Sequence, residues 1–521
     1  MSETIWVLIP PAVTILLAVI TKEVYMSLGI GIFVGCAMFN EFDILPAVNT
    51  MFSIMYEKIG AHAYVLIFLV LLGILVEEIS CSSAARAYGE WVRRLAKGKR
   101  SVLFPTMGLG VLIFIDDYFN CITVGSAMRR ITDQFGVTRA KLAYIIDSTA
   151  APICVTAPIS TWAAAVSSTL PASSESVGYS LFLRTIPFNI YAWLSLIFMA
   201  CIIWSGRDYF TMAAYERNGS WRAELAEYDP EEDDLVSGEG TLPDLLCPIF
   251  VLIISCIACI LYTGGYRVGM PIFHAISVSE PTKGLAMGTF IALIFTVGFY
   301  IARHVLSYKQ ISECLTMGFV NMTSSIFILC LTWTLSGICG EGYLDLGSYI
   351  SHNIGRLAYL PSLFPALFFV AAFALSITTG TSWGTFGILI PIALSLAPSG
   401  NETTLILSVS AILAGAVGGD HVSPLSSTTI LSSASAQCRH VDHVNTQIPY
   451  VAVVAACSFI GYLAAGFSGS GWIGSAAGLA ALAAAVLYMR KGTPYSNGGE
   501  DMFRRMEMRD PNDMSSHEDN A

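Results

Sequence analysis

Asp116, Asp117 and Asn120 close an apolar stretch that runs from Val102 to Ile115, so two adjacent carboxylates and a carboxamide meet hydrophobic sequence directly. Three other stretches share this character. Asp147, Ser148 and Thr149 stand ahead of Pro152 and Pro158; Thr379, Thr381 and Ser382 surround Gly380 and Gly384; Asp420 and His421 follow Gly418 and Gly419 and precede Pro424. Carboxylates, hydroxyls, a carboxamide, and carbonyls freed by proline or glycine are oxygen donors that suit a hard cation such as Na+. Asp116, Asp117, Asp147 and Asp420 are the candidate charged ligands. Adjacent like charges oppose double ionisation, so one of the pair is free to hold a proton. A group that must lose its proton to hold sodium couples the two ions by competition, and His421 adds a possible proton shuttle.

Each group also has a plainer reading. One of Asp116 and Asp117 can cap the following helix while the other faces water, and Asp147 can cap a helix or pair with Lys141 or Arg139. His421 can be a hydrogen-bonded imidazole in a polar core. The Thr378 to Thr385 cluster can be the turn chemistry that Gly380 and Gly384 permit.

The elements that must hold these groups lie in a membrane. The 521 residues are 12% charged and 55% hydrophobic, with a mean hydropathy of +0.65, whereas a soluble protein is about 25% charged. Apolar runs of roughly the length needed to cross about 30 Å of hydrocarbon recur along the whole chain. The net charge of -11 sits largely in the Glu216 to Asp244 loop and the C-terminal tail, as solvated surface. The 13 cysteines are scattered singly, and the one CxxC, Cys256 to Cys259, lies in an apolar helix, which argues against a redox or metal role. Met1 to Thr4 carries no basic region, so the first apolar run is expected to remain as a helix.

Ile5 to Ile20 and Val24 to Phe39 read as a helical hairpin, residues 40 to 61 as mixed and polar, and His62 to Ile79 as a third span ending at Glu77 and Glu78. The latter pair is expected at the interface, as are Trp6, Trp204 and Trp472. Basic loops flank residues 102 to 128 on both sides: Arg86 to Arg100, and Arg129 to Lys141. Positive residues favour the cytoplasm, so this segment reads as a re-entrant hairpin turning at Asp116 to Asn120, with arms too short to cross. Leu142 to Leu170 reads as a broken helix, and Leu181 to Trp204 returns to the cytoplasm. A flexible acidic linker, 205–244, follows.

The second half repeats this grammar through spans at Leu245, Gly284 and Ser312. A flank from Cys339 to Leu360, with Arg356 as its one basic residue, then leads to Ser362 to Ala397, a hairpin entering from the outside. Thr403 to Gln437 is broken at Gly418 to Pro424 and descends to Arg439, His440 and His443. The fold class expected is an all-α polytopic membrane protein with about 11 transmembrane helices and two re-entrant hairpins in two inverted repeats. Its parts are 1–204, the linker 205–244, the second repeat 245–467, an extra helix 468–489 and a cytoplasmic tail 490–521.

The runs Phe114 to Asn120, Asp147 to Pro152, Thr379 to Thr385 and Gly419 to Pro424 resemble those of the NhaC family of sodium/proton antiporters, over most of residues 60 to 440. That family lies within a wider group of ion and organic-anion transporters with inverted hairpin repeats. In the last motif, family members often carry Cys and, beyond Ser-Pro, an Asp; here Val422 and the hydroxyl run Ser426 to Thr429 take those places, which bears on ion stoichiometry. The resemblance implies a secondary antiporter of a bacterial inner membrane. Its partners would be the lipid bilayer, transported Na+ and H+ and, in some relatives, a small organic anion; a homodimer is an open arrangement.

A carrier of a small organic acid or amino acid, with Arg184 helping to hold a carboxylate, is the main rival. A channel or sensor is the other. With no P-loop, nucleotide fingerprint or metal-ligand spacing, neither a pump nor an enzyme is expected, nor any cofactor or nucleic-acid partner.

Overall fold

A segment that crosses hydrocarbon must close its backbone hydrogen bonds internally, and this chain does so with helices. The computed structural model describes residues 5–169, 175–218, 240–266, 275, 279–340, 342–346, 360–396, 402–489 and 493–494. A short 3-10 turn leads into α1 (Ile9–Thr21), which forms a hairpin with α2 (Val24–Phe39) about Lys22 and Glu23. Next come α3 (Ile44–Ala61), α4 (Ala63–Cys81), α5 (Ala84–Leu95), α6 (Lys99–Leu112) and α7 (Asp117–Gln134). They are followed by α8 (Arg139–Thr156), α9 (Thr161–Thr169), α10 (Glu175–Thr185), α11 (Ile190–Ser205), the short strand β1 (Arg207–Asp208) and α12 (Phe210–Asn218).

The second half holds α13 (Leu242–Thr263), α14 (Pro281–Ala302), α15 (Tyr308–Cys339), α16 (Leu360–Thr379) and α17 (Ser382–Leu396). It continues through α18 (Glu402–Asp420), α19 (Ser427–Ser435), α20 (His440–Ser468), α21 (Gly471–Tyr488) and β2 (Thr493–Pro494), which pairs with β1. Among the described residues eight helices are long and apolar enough to cross a membrane, or up to 11 if each bent pair is one span. The chain is an integral membrane protein.

The first hairpin is visible in its bonds. α6 and α7, with 14 and 18 residues, are about 21 and 27 Å long, short of the hydrocarbon thickness. Asn120 in the first turn of α7 donates to Gly110 O and Ile113 O at 2.6 and 2.7 Å, folding α7 back on the end of α6. The far ends also return to one layer. Lys99 Nζ lies 3.7 Å and Lys141 Nζ 3.2 Å from the same buried Glu216 carboxylate, and Lys141 lies 2.5 Å from Asp208. Residues 99 and 141 therefore share a face, and the segment between them turns back instead of crossing.

The second hairpin opens the opposite way. A Cβ on Gly466 would lie 1.9 Å from Ser362 O, so α16 starts beside the end of α20. Pro391 and Leu394 of α17 line a cavity with Ser168 and Thr169, at the end of α9 farthest from Lys141. The first arm of this hairpin, α16, is itself long enough to span.

Each hairpin tip is stitched to the break of the helix after it. α8 and α9 meet at 51°, and the break falls at Pro158, while Pro152 stays inside α8. Ser160 bridges the gap: its hydroxyl donates to Cys154 O at 2.8 Å and accepts from Ala163 N at 3.1 Å, satisfying groups that a helix end leaves open. Thr161 N donates to Ile115 O in the first tip at 2.9 Å. In the second half, Ser423 Oγ donates to Ile377 O at 2.8 Å. Gly380, at φ +66°, sits where a Cβ would come 2.6 Å from Leu425 O, so both its conformation and its contact require glycine.

Four expectations change. Residues 44–61 form the helix α3 rather than a mixed stretch, because Ala47 and Ile54 give it a narrow buried stripe. The basic segment before Arg100 contains α5, strongly amphipathic through Ala84, Ala85, Gly89 and Val92. The front of the 205–244 linker is built in, since lysines bury Asp208 and Glu216; residues 219–239 lie outside the described set, as do Arg356 and all of the tail after Arg490 but Thr493 and Pro494. Glu78 is fully buried in α4 instead of interfacial, while its neighbour Glu77 accepts from Asn321.

Candidate functional site

The second half of each broken helix packs on the opposite hairpin. Trp162 of α9 stacks edge-on against Trp383 of α17 at 6.1 Å and lies 5.5 Å from Phe386. The start of α19 lies against α7 and α8, where the hydroxyl run Ser426 to Thr429 meets the aspartates. Thr428 Oγ1 donates to Asp420 Oδ2 at 2.8 Å. Thr429 Oγ1 is 3.1 Å from Asp147 Oδ2 and 3.3 Å from Asp420 O. Ser427 Oγ lies 2.8 Å from the hydroxyl of Tyr118, next to Asp117.

Asp116 and Asp117 have different tasks. Asp116 takes the plain role: it is the N-cap of α7, accepting from Phe119 N at 2.9 Å. Asp117 does not face water. It is buried, and its Oδ2 accepts from Trp162 Nε1 at 3.0 Å. Asn120 closes the hairpin, as described, and Thr149 donates back to Ile145 O and Ile146 O at 2.9 and 3.0 Å, so both are framework residues.

Asp147 does not pair with Lys141 or Arg139, which are held by Asp208, Glu216, Asp133 and Gln437. Its Oδ2 accepts instead from Gln447 Nε2 at 2.6 Å. The same Nε2 donates to His421 O at 2.8 Å, so Gln447 Oε1 must accept from His443 Nε2, 2.8 Å away. His421 is fully buried, with Nδ1 2.9 Å from the Tyr191 hydroxyl. Four buried polar atoms at the candidate residues have no protein partner among the described residues: Asn120 Oδ1, Asp147 Oδ1, Ser148 Oγ and His421 Nε2. Buried polar atoms are normally satisfied, so these are open to an ion or a bound solute.

The second tip contributes turn chemistry. Thr379 donates to Leu375 O, Thr381 caps α17 by accepting from Gly384 N, and Ser382 donates to Ala416 O. Thr379 and Thr381 also line a cavity of about 220 Å³ with Tyr118, Trp383, Ser427 and, from the first hairpin of the chain, Lys22 and Glu23. Arg184 is not near it: the side chain is half exposed and paired with Glu402.

The four candidate carboxylates do not surround one point, since among the described residues no three His, Cys, Asp or Glu side chains converge as a metal site. Asp117, Asp147 and Asp420 stand instead as separate buried acids tied together by one hydroxyl run. Among the described residues none of the three is paired with a Lys or Arg.

Sequence reading missed Gln447, His443, Tyr191 and Trp162, which hold the acids and His421, and it read the Lys22–Glu23 turn as a hairpin connection with no role at the site. The last carried a signal: two charges interrupting an apolar hairpin.

The family model of the Na+/H+ antiporter family matches residues 171–467. A protein of Haemophilus influenzae without an assigned role is 34% identical over 508 residues, covering 94% of this chain and 96% of that one. A malate-2H(+)/Na(+)-lactate antiporter of Bacillus subtilis is 31% identical over 149 residues, 29% of this chain and 31% of its own length. A second Haemophilus influenzae protein, named as a Na(+)/H(+) antiporter, is 36% identical over 108 residues, 19% of this chain and 23% of its own.

Proposed function

The chain belongs to the Na+/H+ antiporter family, and we propose on that footing that it is a secondary antiporter of the NhaC type, exchanging Na+ for H+ across a bacterial inner membrane with its C-terminus in the cytoplasm. The observation that carries this reading is the set of three buried acids, Asp117, Asp147 and Asp420, without cationic partners among the described residues. Buried carboxylates cannot all stay ionised without a compensating charge. Either a sodium ion or protons must supply it, and the competition couples the two fluxes. Sodium would take one carboxylate at a time together with hydroxyls and carbonyls, with Asp147 Oδ1 and Ser148 Oγ the best-placed open donors. Alternating access follows from rocking the hairpins and broken helices against the remaining helices.

The test is an imposed sodium gradient on proteoliposomes with lumenal pH followed and no organic solute present. Proton movement lost in Asp420→Asn supports the reading; no proton movement by the unaltered protein overturns it. A second reading, an exchanger in which a small organic acid or amino acid also moves, is favoured by the 220 Å³ cavity at the hairpin tips, larger than a bare ion needs.

A further inference from the structure

The turn between α1 and α2 sits level with the middle of the helix it packs on, with the Lys22 and Glu23 side chains exposed. α2 climbs beside α15: the hydroxyl of Tyr25 meets that of Ser324, and a Cβ on Gly35 would lie 3.2 Å from Ile338. Ser324 is midway along the 32-residue α15. The lower half of that helix runs on past it to Cys314, which meets Cys81 at the end of α4. The α1–α2 hairpin is thus a half-depth element whose charged turn, Lys22–Glu23, ends level with the two re-entrant tips.

Charges at this level of a membrane protein are rare, face a water-filled cavity and mark a candidate functional site. Among the described residues, neither Lys22 nor Glu23 forms an ion pair. The turn is nevertheless firmly set. Lys22 N donates to Ala18 O at 3.0 Å, Glu23 N to Thr21 Oγ1 at 3.2 Å, and Ser27 Oγ to Glu23 O at 2.5 Å. Lys22 has φ +61°, a left-handed helix end that favours glycine or asparagine, so turn geometry does not account for a lysine there. Val24 holds the turn against the second hairpin, where a Cβ on Gly384 would come 2.6 Å from it.

Among the described residues these two are the only charged side chains lining the 220 Å³ cavity; the rest of its polar side-chain lining is hydroxyl, including Tyr118, Thr379, Thr381 and Ser427, and the Trp383 indole N–H. That space is large enough for several waters or a small organic solute. One positive and one negative group, unpaired with each other, match a solute carrying both charges. A purely anionic solute would leave Glu23 unmatched, and a purely cationic one would leave Lys22 unmatched. We propose that the Lys22–Glu23 turn is the solute clamp of the transport site, Lys22 taking the carboxylate and Glu23 the ammonium of a small zwitterionic amino acid. Coupling of that solute to sodium and protons rests on the antiport reading above; its binding does not.

The test is counterflow by the full-length protein in proteoliposomes, with glycine, L-alanine, L-serine and L-leucine as probes. L-lactate and ethylamine replace the ammonium and the carboxylate of alanine in turn. At least one amino acid should exchange about tenfold or more above both one-charge analogues. Lys22→Gln and Glu23→Gln should each lose about tenfold, and the reversed pair, Lys22→Glu with Glu23→Lys, should recover most of it. Counterflow of lactate or ethylamine equal to that of alanine, no counterflow of any of the four, or neutral variants that exchange as well as the unaltered protein would each overturn the proposal. Sodium-driven pH change without solute, measured on the unaltered protein in the same vesicles, reports separately on the ion exchange.

Discussion

Replacing Gln447 by Met separates the positioning of Asp147 from its charge. The amide makes three contacts, at 2.6 Å to Asp147 Oδ2, 2.8 Å to His421 O and 2.8 Å to His443 Nε2. Met fills a similar volume and makes none of them. Losing a hydrogen bond to a charged acceptor costs about 1.5–3 kcal/mol, roughly a 10- to 150-fold change in an equilibrium. Outer partners that orient a metal ligand are worth about 10- to 100-fold in affinity. The half-saturating sodium concentration for proton movement should therefore rise about 10- to 100-fold. Thr429→Val removes only the 3.1 Å contact and should raise it by a few-fold. Thermal melting of both variants in detergent separates this from unfolding, because a merely structural glutamine would lower the melting temperature and leave sodium dependence alone. A half-saturating concentration within about threefold of the unaltered protein would refute the assignment of Asp147 as a ligand oriented by Gln447.

Lys141→Met leaves Asp208 and Glu216 buried with Lys99 as their nearest cation, 3.7 Å from Glu216; it should destabilise the protein by about 3–5 kcal/mol, and adding Glu216→Gln should restore part of the loss in melting temperature. Burial pushes the Glu216 carboxyl up, but Lys141, Lys99 and the Thr138 hydroxyl outweigh it and hold it below 4.5. Its contribution is then present above pH 4.5 and lost as pH falls through the depressed value, so melting temperature should drop on acidification in that range and drop less in Glu216→Gln. Trp162→Phe removes the 3.0 Å bond to Asp117 and should cut exchange about tenfold while keeping the aromatic packing; unchanged exchange would make Asp117 a bystander. Single cysteines at Lys97 and Gly136 should react with a membrane-impermeant thiol reagent from the same side, and reaction from opposite sides would break the first hairpin.

The parts legible in the sequence were those where one residue contradicts its surroundings. Asp117, Asp147 and Asp420 stand in apolar runs, and the breaks at Pro158 and Pro424 follow from lost backbone donors. The basic loops on both flanks of residues 102–128 were enough to fold that segment back, and the shared Glu216 contact bears this out. What did not show was partnership across the chain. Gln447 lies in the third turn of a long helix and reads as an ordinary polar residue, yet it reaches a carboxylate 300 positions away. Trp162 reads as a packing aromatic, and nothing in its spacing indicates that its ring nitrogen faces Asp117. The helices α3 and α5 were missed for another reason: their polar faces outweigh a narrow apolar stripe, so average hydropathy sees loops.

The departure from the family motif after Ser423-Pro424 now has a physical sense. A carboxylate in the Ser426 to Thr429 run would stand within hydrogen-bond reach of acids that already have no cation beside them. Hydroxyls avoid that repulsion, since Thr428 and Thr429 each donate to one acid and still offer lone pairs to an ion. They also link the halves: Thr428 holds Asp420, Thr429 holds Asp147, and Ser427 meets Tyr118 beside Asp117. A shift of α19 must therefore disturb all three acids together. Placing a fourth acid here, as Thr429→Asp, tests the point: it should add a proton-binding group, and sodium exchange should then need higher pH. An unchanged pH profile with intact folding would show that the hydroxyl run and the acids do not act as one unit.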